Sequence, residues 1–481
     1  MSLNRLGWAV AAGCALLPLS AAVMAQAEYA GWAVTPRVSI SQIYSDNIDL
    51  APRGEEDDEF VTQLDAGVAL RREGTRSRAR LGYNLTGLAY WSDSDSNEVF
   101  HQVDADGRAD LVPERLFLEG SAIYDQRLRS RSGRTGDLVN TGVDRTDVFR
   151  FRISPVYVQR FEDVAAAELR YIHDRVYYVE SDARDIDSER NAVRATLDSG
   201  PMFSRLGWGL SFERSEEDFD DGSSVTFQTA EALARWNFTE RLSIFGAVGD
   251  EQNTFEQDPS RARPDDTFWR VGATFRPTAR TFTEAYFGER FFGTTYGATV
   301  RRDLRDGRLF ADYTEELRTV NQRDDMRLLR DEFGDPIFDP ATGQPIFELP
   351  DLLTGVYLRK RFSAGVSIRR AKTDWGVRLF DERREFELTD QREEVQGVIG
   401  DVSWRVLPRT RLFANARIEE STFADERDRE DTLFDIRLGV GRDLGPQTSA
   451  SVEYLYRERE STDTAREYTE NRLTATFTKV F

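Results

Sequence analysis

The sequence predicts an all-β protein: a transmembrane, antiparallel, up-and-down β-barrel of about 22 strands, within a range of roughly 18 to 24. Three observations predict this fold. The chain opens with a segment that resembles an export signal, many later segments alternate apolar and polar side chains, and the last residue is the aromatic Phe481. In one such segment Leu81 and Tyr83 share a face, and Arg80 and Asn84 share the other. Because successive side chains of a strand point to opposite faces, one face of the sheet is expected to meet apolar medium and the other water.

Residues 1–27 are predicted to be a signal peptide and residues 28–481 the barrel. Arg5 supplies a positive start, residues 8–19 form an apolar run, and Ala25, Gln26 and Ala27 fit the small-x-small rule for cleavage. The apolar run is too short to be a membrane-spanning helix.

The alternating segments predict strands joined by short turns and longer loops in turn. Short turns rich in Pro, Gly and charge recur, for example at residues 239–241 and 407–409. Outer-membrane barrels have short periplasmic turns and longer extracellular loops, so we expect an even number of strands with both chain ends in the periplasm. The predicted strands begin near Val34, Phe60, Arg78, Glu98, Leu116, Asp147, Ala165, Arg190, Leu206, Val225, Leu242, Thr267, Thr281, Thr294, Arg308, Gly355, Thr373, Glu394, Thr410, Thr432, Ser449 and Thr469.

The last predicted strand carries a signal for assembly. Phe477 and Phe481 share one face of it, and a terminal strand that ends in Phe resembles the recognition signal of the machinery that assembles outer-membrane barrels. Lys479 interrupts this face, and we expect its long side chain to snorkel to lipid headgroups. A soluble sandwich would leave both this terminus and the export signal unexplained.

The charge of the chain limits its partners. The formal net charge is -21, which makes nucleic acid a poor candidate. Acidic residues crowd at 55–59, 216–221 and 425–431. They could bind divalent cations near lipopolysaccharide, but solvated loops are the favoured interpretation. Cys14 lies within the predicted signal peptide, so no disulfide is expected in the mature chain.

No catalytic, cofactor or metal site is predicted. The histidines of the chain are His101 and His173, and no Cys or His cluster has the spacing of metal ligands. Asp174 follows His173, but adjacent residues of a strand point to opposite faces and cannot act as a dyad. We therefore expect neither enzymatic activity nor a cofactor.

The predicted lumen face is rich in arginine. An arginine-lined passage could guide an anionic polymer, because guanidinium groups bind carboxylates and phosphates bidentately. The favoured alternative is that these arginines pair with acidic side chains on neighbouring strands, such as Glu119 and Asp435, since the two signs are nearly balanced. The candidate guide residues are Arg150, Arg152, Arg170, Arg235, Arg270, Arg276, Arg369, Arg378, Arg437 and Arg457.

Two connections are candidates for control of the mouth. Arg127, Arg129, Arg131 and Arg134 make one loop positive, and this loop could fold over the mouth. The longest loop, residues 321–352, contains two Pro-Ile-Phe copies around a strong turn sequence, which indicates a small hairpin. It could be a lid or constriction, or an external hairpin that packs on other loops.

The start of the chain resembles a known family. Residues 36–47 end in Tyr44, Ser45, Asp46 and Asn47, with Gln42 where Glu is common. The segment resembles the first strand of the β-barrel porins found with bacterial exopolysaccharide loci, in particular the outer-membrane proteins associated with the PEP-CTERM system. The likeness is best over the first third of the chain. It implies an outer-membrane barrel linked to exopolysaccharide production and supplies no catalytic residues.

These observations predict a Gram-negative outer-membrane barrel that exports or passes exopolysaccharide. Two alternatives stay open: a general or sugar-selective diffusion porin, and a structural or adhesive barrel with a blocked lumen. A TonB-dependent transporter is disfavoured, because a first strand near Val34 leaves no room for a plug domain. The expected partners are outer-membrane lipid and lipopolysaccharide, the barrel assembly machinery, a polysaccharide and periplasmic export components.

Overall fold

Antiparallel strands make up nearly all of the structure. A computed structural model describes residues 31–128, 133–179, 187–261, 263–319, 355–389, 391–423 and 429–481, and its 22 strands form one sheet. The strands are β1 (Trp32–Ser45), β2 (Glu59–Glu73), β3 (Ser77–Tyr90), β4 (Glu98–Val112), β5 (Leu116–Leu128), β6 (Arg145–Phe161), β7 (Ala165–Tyr178), β8 (Ser188–Ser199), β9 (Leu206–Phe219), β10 (Ser224–Asn237), β11 (Leu242–Gln252), β12 (Asp265–Thr278), β13 (Thr281–Arg290), β14 (Gly293–Asp303), β15 (Gly307–Thr319), β16 (Val356–Arg369), β17 (Thr373–Phe386), β18 (Arg392–Leu407), β19 (Thr410–Thr422), β20 (Glu430–Gly445), β21 (Thr448–Ser461) and β22 (Tyr468–Val480).

The sheet closes on itself between its first and last strands. Each strand pairs antiparallel with its neighbours in the chain, and β1 pairs with β22 from Arg37 opposite Val480 to Ser45 opposite Arg472. On the inside of this seam, the hydroxyl groups of Ser41 and Thr476 lie 2.9 Å apart. The predicted all-β up-and-down barrel is confirmed, and every predicted strand begins within two residues of an observed one.

The two ends of the barrel differ. At one end, which we call the short-turn end, the connections between strands contain two to six residues. At the other, the long-loop end, some connections are longer, such as the 13 residues between β1 and β2. Short 3₁₀ helices lie at Ser94–Ser96 and Thr464–Arg466 at the long-loop end and at Pro201–Phe203 at the short-turn end. No helix among the described residues is long and apolar enough to cross a membrane.

An apolar band covers the outside of the barrel. On β9, Leu206, Leu210 and Phe212 are exposed and point outward, whereas Arg214, next on the same face, is charged. The band on this strand covers seven residues, or about 20 Å of strand. Such a band is the feature by which barrel strands face lipid. The part of β9 that lies beyond it therefore projects above the band at the long-loop end.

Aromatic rings lie flat against glycines on the lumen wall. Phe413 of β19, for example, stands directly opposite Gly439 of β20, with its ring where a Cβ of Gly439 would be. The same arrangement recurs along the wall. The other pairs are Phe268 with Gly249, Phe245 with Gly272, Tyr286 with Gly297, Phe310 with Gly365, and Phe380 with Gly397. Because glycine leaves space for the ring, the aromatic side chain covers the wall instead of projecting into the lumen.

Candidate functional site in the barrel lumen

The β5–β6 connection folds into the lumen at the long-loop end. Its described part, residues 133–144, reaches the inner faces of β3, β21 and β22. Val139 packs in a buried apolar cluster with Ile43, Val61 and other residues of the first strands. The hydroxyl group of Tyr90 donates a hydrogen bond of 2.7 Å to the carbonyl oxygen of Val139. We call residues 133–144 the inner loop.

Charged side chains tie the inner loop to β22, where Arg472 and Glu470 are buried and Asp137 is partly exposed. Arg472 donates from Nη1 to both carboxylate oxygens of Asp137, at 2.8 and 2.7 Å, and from Nη2 to Oδ1 of Asn140 at 2.9 Å. Asn140 is fully buried and donates to Oε1 of Glu470 at 3.1 Å. Burial alone would raise the pKa of Asp137, but attraction from Arg472 and Arg457 outweighs it and holds this pKa well below its usual range. Asp137 is therefore an anion at neutral pH.

The β1–β2 connection is held by the two residues that end the Tyr-x-Asp-Asn pattern. Asn47 is buried and donates to the carbonyl oxygens of Ala51 and Thr469, at 2.9 and 3.0 Å. Asp46 accepts hydrogen bonds from the backbone and side-chain nitrogens of Asn471, both at 2.7 Å. These contacts join the first connection to the last strand. The pattern thus has a structural role at the seam of the barrel.

Other contacts cross the mouth between strands that are distant in the sheet. Thr319 of β15 donates a hydrogen bond of 2.7 Å to Glu217 of β9, which also accepts one of 2.9 Å from Ser188. In the β11–β12 connection, the backbone nitrogen of Asp258 donates to the carbonyl oxygen of Glu387, just beyond β17, at 2.9 Å. Described parts of several connections therefore reach across the lumen at the long-loop end.

The predicted guide arginines all lie on the lumen face, but ion pairs engage many of them. Arg152 and Arg190 both contact Asp174, and Arg170 lies 2.6 Å from Glu119. Further pairs join Arg270 to Glu231 at 2.7 Å, Arg437 to Glu453 at 3.9 Å and Arg457 to Asp435 at 2.8 Å. The guanidinium groups of Arg235 and Arg276 lie over the rings of Phe245 and Phe282, at 5.9 and 5.1 Å from their centroids. Strand register places Arg150, Arg369 and Arg378 on the same face.

The arginines of the predicted mouth loop separate in the structure. Arg127 is the penultimate residue of β5 and is buried. Asp125, two residues earlier on the same face, pairs with it at 2.6 Å. It belongs to the wall and not to the loop. Arg134 lies in the inner loop and donates to the carbonyl oxygen of Asp49 at 3.0 Å. Arg129 and Arg131, the predicted loop 321–352 and the predicted signal peptide 1–27 lie outside the described residues.

The remaining predicted residues lie on the outside of the barrel. Phe477 is exposed on the outer face of β22, and Phe481 follows that strand at the short-turn end, with the Lys479 ammonium group 5.8 Å from its ring centroid. Their role as an assembly signal stays a prediction. His101 and His173 point outward and contact Tyr83 and Asn191, at 2.8 and 3.0 Å. The described residues contain no group of three or more potential metal ligands.

Sequence reasoning missed two features of the lumen. The aromatic–glycine pairs become visible only when the register sets each ring opposite its glycine. The second feature is a concentration of arginine around the short-turn end, where Arg78, Arg80, Arg405 and Arg411 are exposed on the lumen face. Counting the charges of each turn separately would have found it.

Comparison with known proteins shows the fold alone. No family model matches the chain, and no curated protein matches its sequence. Among solved structures, the FrpB iron transporter from Neisseria meningitidis is similar in two variants, F5-1 and F3-3, with TM-scores of 0.53 and 0.52. Each is 8% identical, and each likeness covers 93% of this chain and 82% of that chain. The chain therefore shares the closed-barrel fold of these transporters.

Proposed function

We propose that this protein is an outer-membrane barrel that passes exopolysaccharide out of the cell, through a lumen closed at its outer end by the inner loop. The observation that carries the proposal is that the two ends of the barrel differ in the burial of their lumen-facing side chains. Buried contacts cross the lumen at the long-loop end, whereas charged lumen-facing side chains are exposed at the short-turn end. A lumen of this kind is accessible from one side and must open to pass its cargo.

The chemistry of the wall suits a hydrated polymer. Arginine–carboxylate pairs, hydroxyl groups and flat aromatic rings supply donors, acceptors and stacking surfaces around a wide barrel. The apolar band supports a position in the membrane, and the short turns support a periplasmic position for the short-turn end. The resemblance of residues 36–47 to barrels of exopolysaccharide loci supports the identity of the polymer. Iron, which the name of the similar transporters includes, is not carried over, because the likeness concerns the fold.

The test is a deletion strain of the source bacterium with and without a plasmid copy of the gene. We expect deletion to remove most exopolysaccharide from the medium and to leave polymer in the periplasm, and we expect the plasmid to restore release. A diffusion porin would instead change small-solute uptake and leave polymer release unchanged. A structural barrel with a blocked lumen would change neither quantity. Either result would contradict the proposal.

A further inference from the structure

The short-turn end of the barrel is basic although the chain is acidic. The stretch 71–80 contains five arginines and one glutamate, and the stretch 405–411 contains three arginines and no acid. The stretches 301–308 and 369–374 together contain seven basic residues and three acidic ones. These four stretches form the turns β2–β3, β18–β19, β14–β15 and β16–β17 with the strand ends beside them. We call them the basic rim.

The long-loop end has the opposite charge. Residues 46–59, which form the first connection and its flanks, contain seven acidic residues and one arginine. Residues 216–221, at the end of β9, contain five acidic residues and no basic one. The molecule is therefore polarised along the barrel axis, with positive charge at the mouth that is accessible.

Part of the basic rim lines the opening itself. Arg78 and Arg80 share the lumen face of β3 with Asn84, which bonds to the lumen residue Thr86. Arg405 and Arg411 are opposite each other at the turn β18–β19, on the face of the lumen ring Phe413. All four arginines are exposed. Anionic lipid headgroups could account for rim residues that point outward, but they cannot reach side chains on the lumen side of the mouth.

We propose that the basic rim captures an anionic polysaccharide, one that carries carboxylate or other acidic groups, and feeds it into the lumen from the short-turn side. This inference rests on the proposed function and adds the charge of the polymer and the place where it enters. A mouth lined with one sign of charge concentrates the opposite charge and can raise association rates about ten- to a thousandfold. Among the described residues, the far end carries the acidic stretches 46–59 and 216–221, which favours capture on the short-turn side. A flexible polysaccharide chain can enter the mouth and reach the arginines inside it. A folded acidic protein would dock on the outside of the mouth and could not reach them.

The test compares two variants with the same change in charge. The rim variant carries Arg76→Gln, Arg78→Gln, Arg405→Gln and Arg409→Gln. The matched control carries Arg175→Gln, Arg214→Gln, Arg383→Gln and Arg392→Gln, which are exposed on the outside of the barrel at the long-loop end. Each full-length barrel is placed in phosphatidylcholine nanodiscs, so that no lipid carries net charge. Binding of fluorescein-labelled polygalacturonate is measured by anisotropy, with neutral dextran of equal length as a second probe.

We expect the wild type and the control to bind polygalacturonate at low salt, and the rim variant to bind at least about tenfold more weakly. Dextran should bind to none of them at these concentrations, and high salt should weaken the wild type toward the rim variant because it screens exposed charges. Equal binding by the rim variant and the wild type overturns the proposal. Absence of binding to the wild type also overturns it, and an acidic periplasmic protein would then be the better occupant of the rim.

The outcome separates this inference from the proposed function. Rim-dependent binding together with unchanged polymer release in the deletion strain would leave the rim as a polyanion site and refute export. Loss of release in the deletion strain together with rim-independent binding would support export and refute capture at the rim.

Discussion

Asp137 and Arg472 form the contact that holds the inner loop in its closed position. The guanidinium group of Arg472 spans Asp137 and Asn140 of the loop and also contacts Glu470 of its own strand, at 2.7 Å. Removal of the Asp137 carboxylate would leave two neighbouring cations, Arg472 and Arg457, without an anion that they now share. These charges hold the loop to β22, in addition to the packing of Val139 and the hydrogen bond from Tyr90.

We predict that Asp137→Asn opens the outer end more often than the wild type does. Loss of a charge-assisted hydrogen bond of this kind costs about 1.5 kcal/mol or more, which corresponds to a tenfold shift toward the open position. Single-channel recording in a planar bilayer measures this as a higher open probability. Glu256→Gln, an exposed change in the β11–β12 connection, is the control and should leave it unchanged. An unchanged open probability in Asp137→Asn would show that the pair does not hold the loop.

The lowered pKa of Asp137 predicts how the closed position depends on pH. The folded pKa of Asp137 lies below its ordinary value of about 4. The stabilising negative charge is therefore fully present above that value and is lost as pH falls through the folded pKa. Open probability should therefore stay constant between about pH 8 and pH 5 and rise only in stronger acid. Recordings across this range check the prediction, and a rise near pH 6 would contradict it.

At the scale of elements, each ring on the lumen wall depends on the glycine of the next strand. We predict that Gly439→Ala pushes the ring of Phe413 off the wall and into the lumen. The expected result is lower conductance of the open pore and a loss of about 1–3 kcal/mol in unfolding free energy, the usual cost of overpacking. Adding Phe413→Leu to Gly439→Ala should restore both quantities, because it removes the ring. If the double variant restores neither conductance nor stability, Gly439 is needed for a reason other than space for the ring.

The seam between β1 and β22 also depends on contacts between elements, in particular those of Asn47. Asn47→Ala should lower the unfolding free energy by about 1–3 kcal/mol, because the carbonyl oxygens of Ala51 and Thr469 and the backbone nitrogen of Ala51 lose a hydrogen bond. Urea unfolding in lipid vesicles, followed by the gel mobility of the folded barrel, measures the change. Asn237→Ala removes one exposed side-chain contact at the short-turn end and should cost less than about 0.5 kcal/mol. Equal losses would argue against a special role for the seam.

The sequence predicted the strands well because each strand carries its own periodic signal. β1 was expected near Val34 and begins at Trp32, and β22 was expected near Thr469 and begins at Tyr468. The contact of Thr319 with Glu217 has no such signal, because it joins distant strands across the lumen. Arg127 shows a smaller difference. The sequence suggested a loop there, but Asp125 and Arg127 lie two residues apart on the lumen face and continue β5. The partners of the lumen arginines also required the register between strands.

At the scale of the whole molecule, opposite charges at the two ends predict rectification. An open barrel with one basic and one acidic mouth should pass unequal currents at equal positive and negative voltages. The difference should shrink in about 1 M salt, where the screening length falls to about 3 Å. Current–voltage curves of Asp137→Asn, which is predicted to open more often, measure this, and the basic-rim variant in the same background should rectify less. Symmetric curves at low salt would contradict the polarised field.

The pairing of β1 with β22 also makes the barrel tolerant of a change in chain order. Trp32 and Val480 end their strands at the same end of the barrel, and all the pairings run between neighbours. A short peptide could therefore join Val480 to Trp32 while new chain ends are opened at another short turn, with every ladder preserved. Such circular permutants should differ from the natural order chiefly in which strand is synthesised last. They would show whether stability depends on the geometry of the finished barrel and whether insertion depends on which strand is synthesised last.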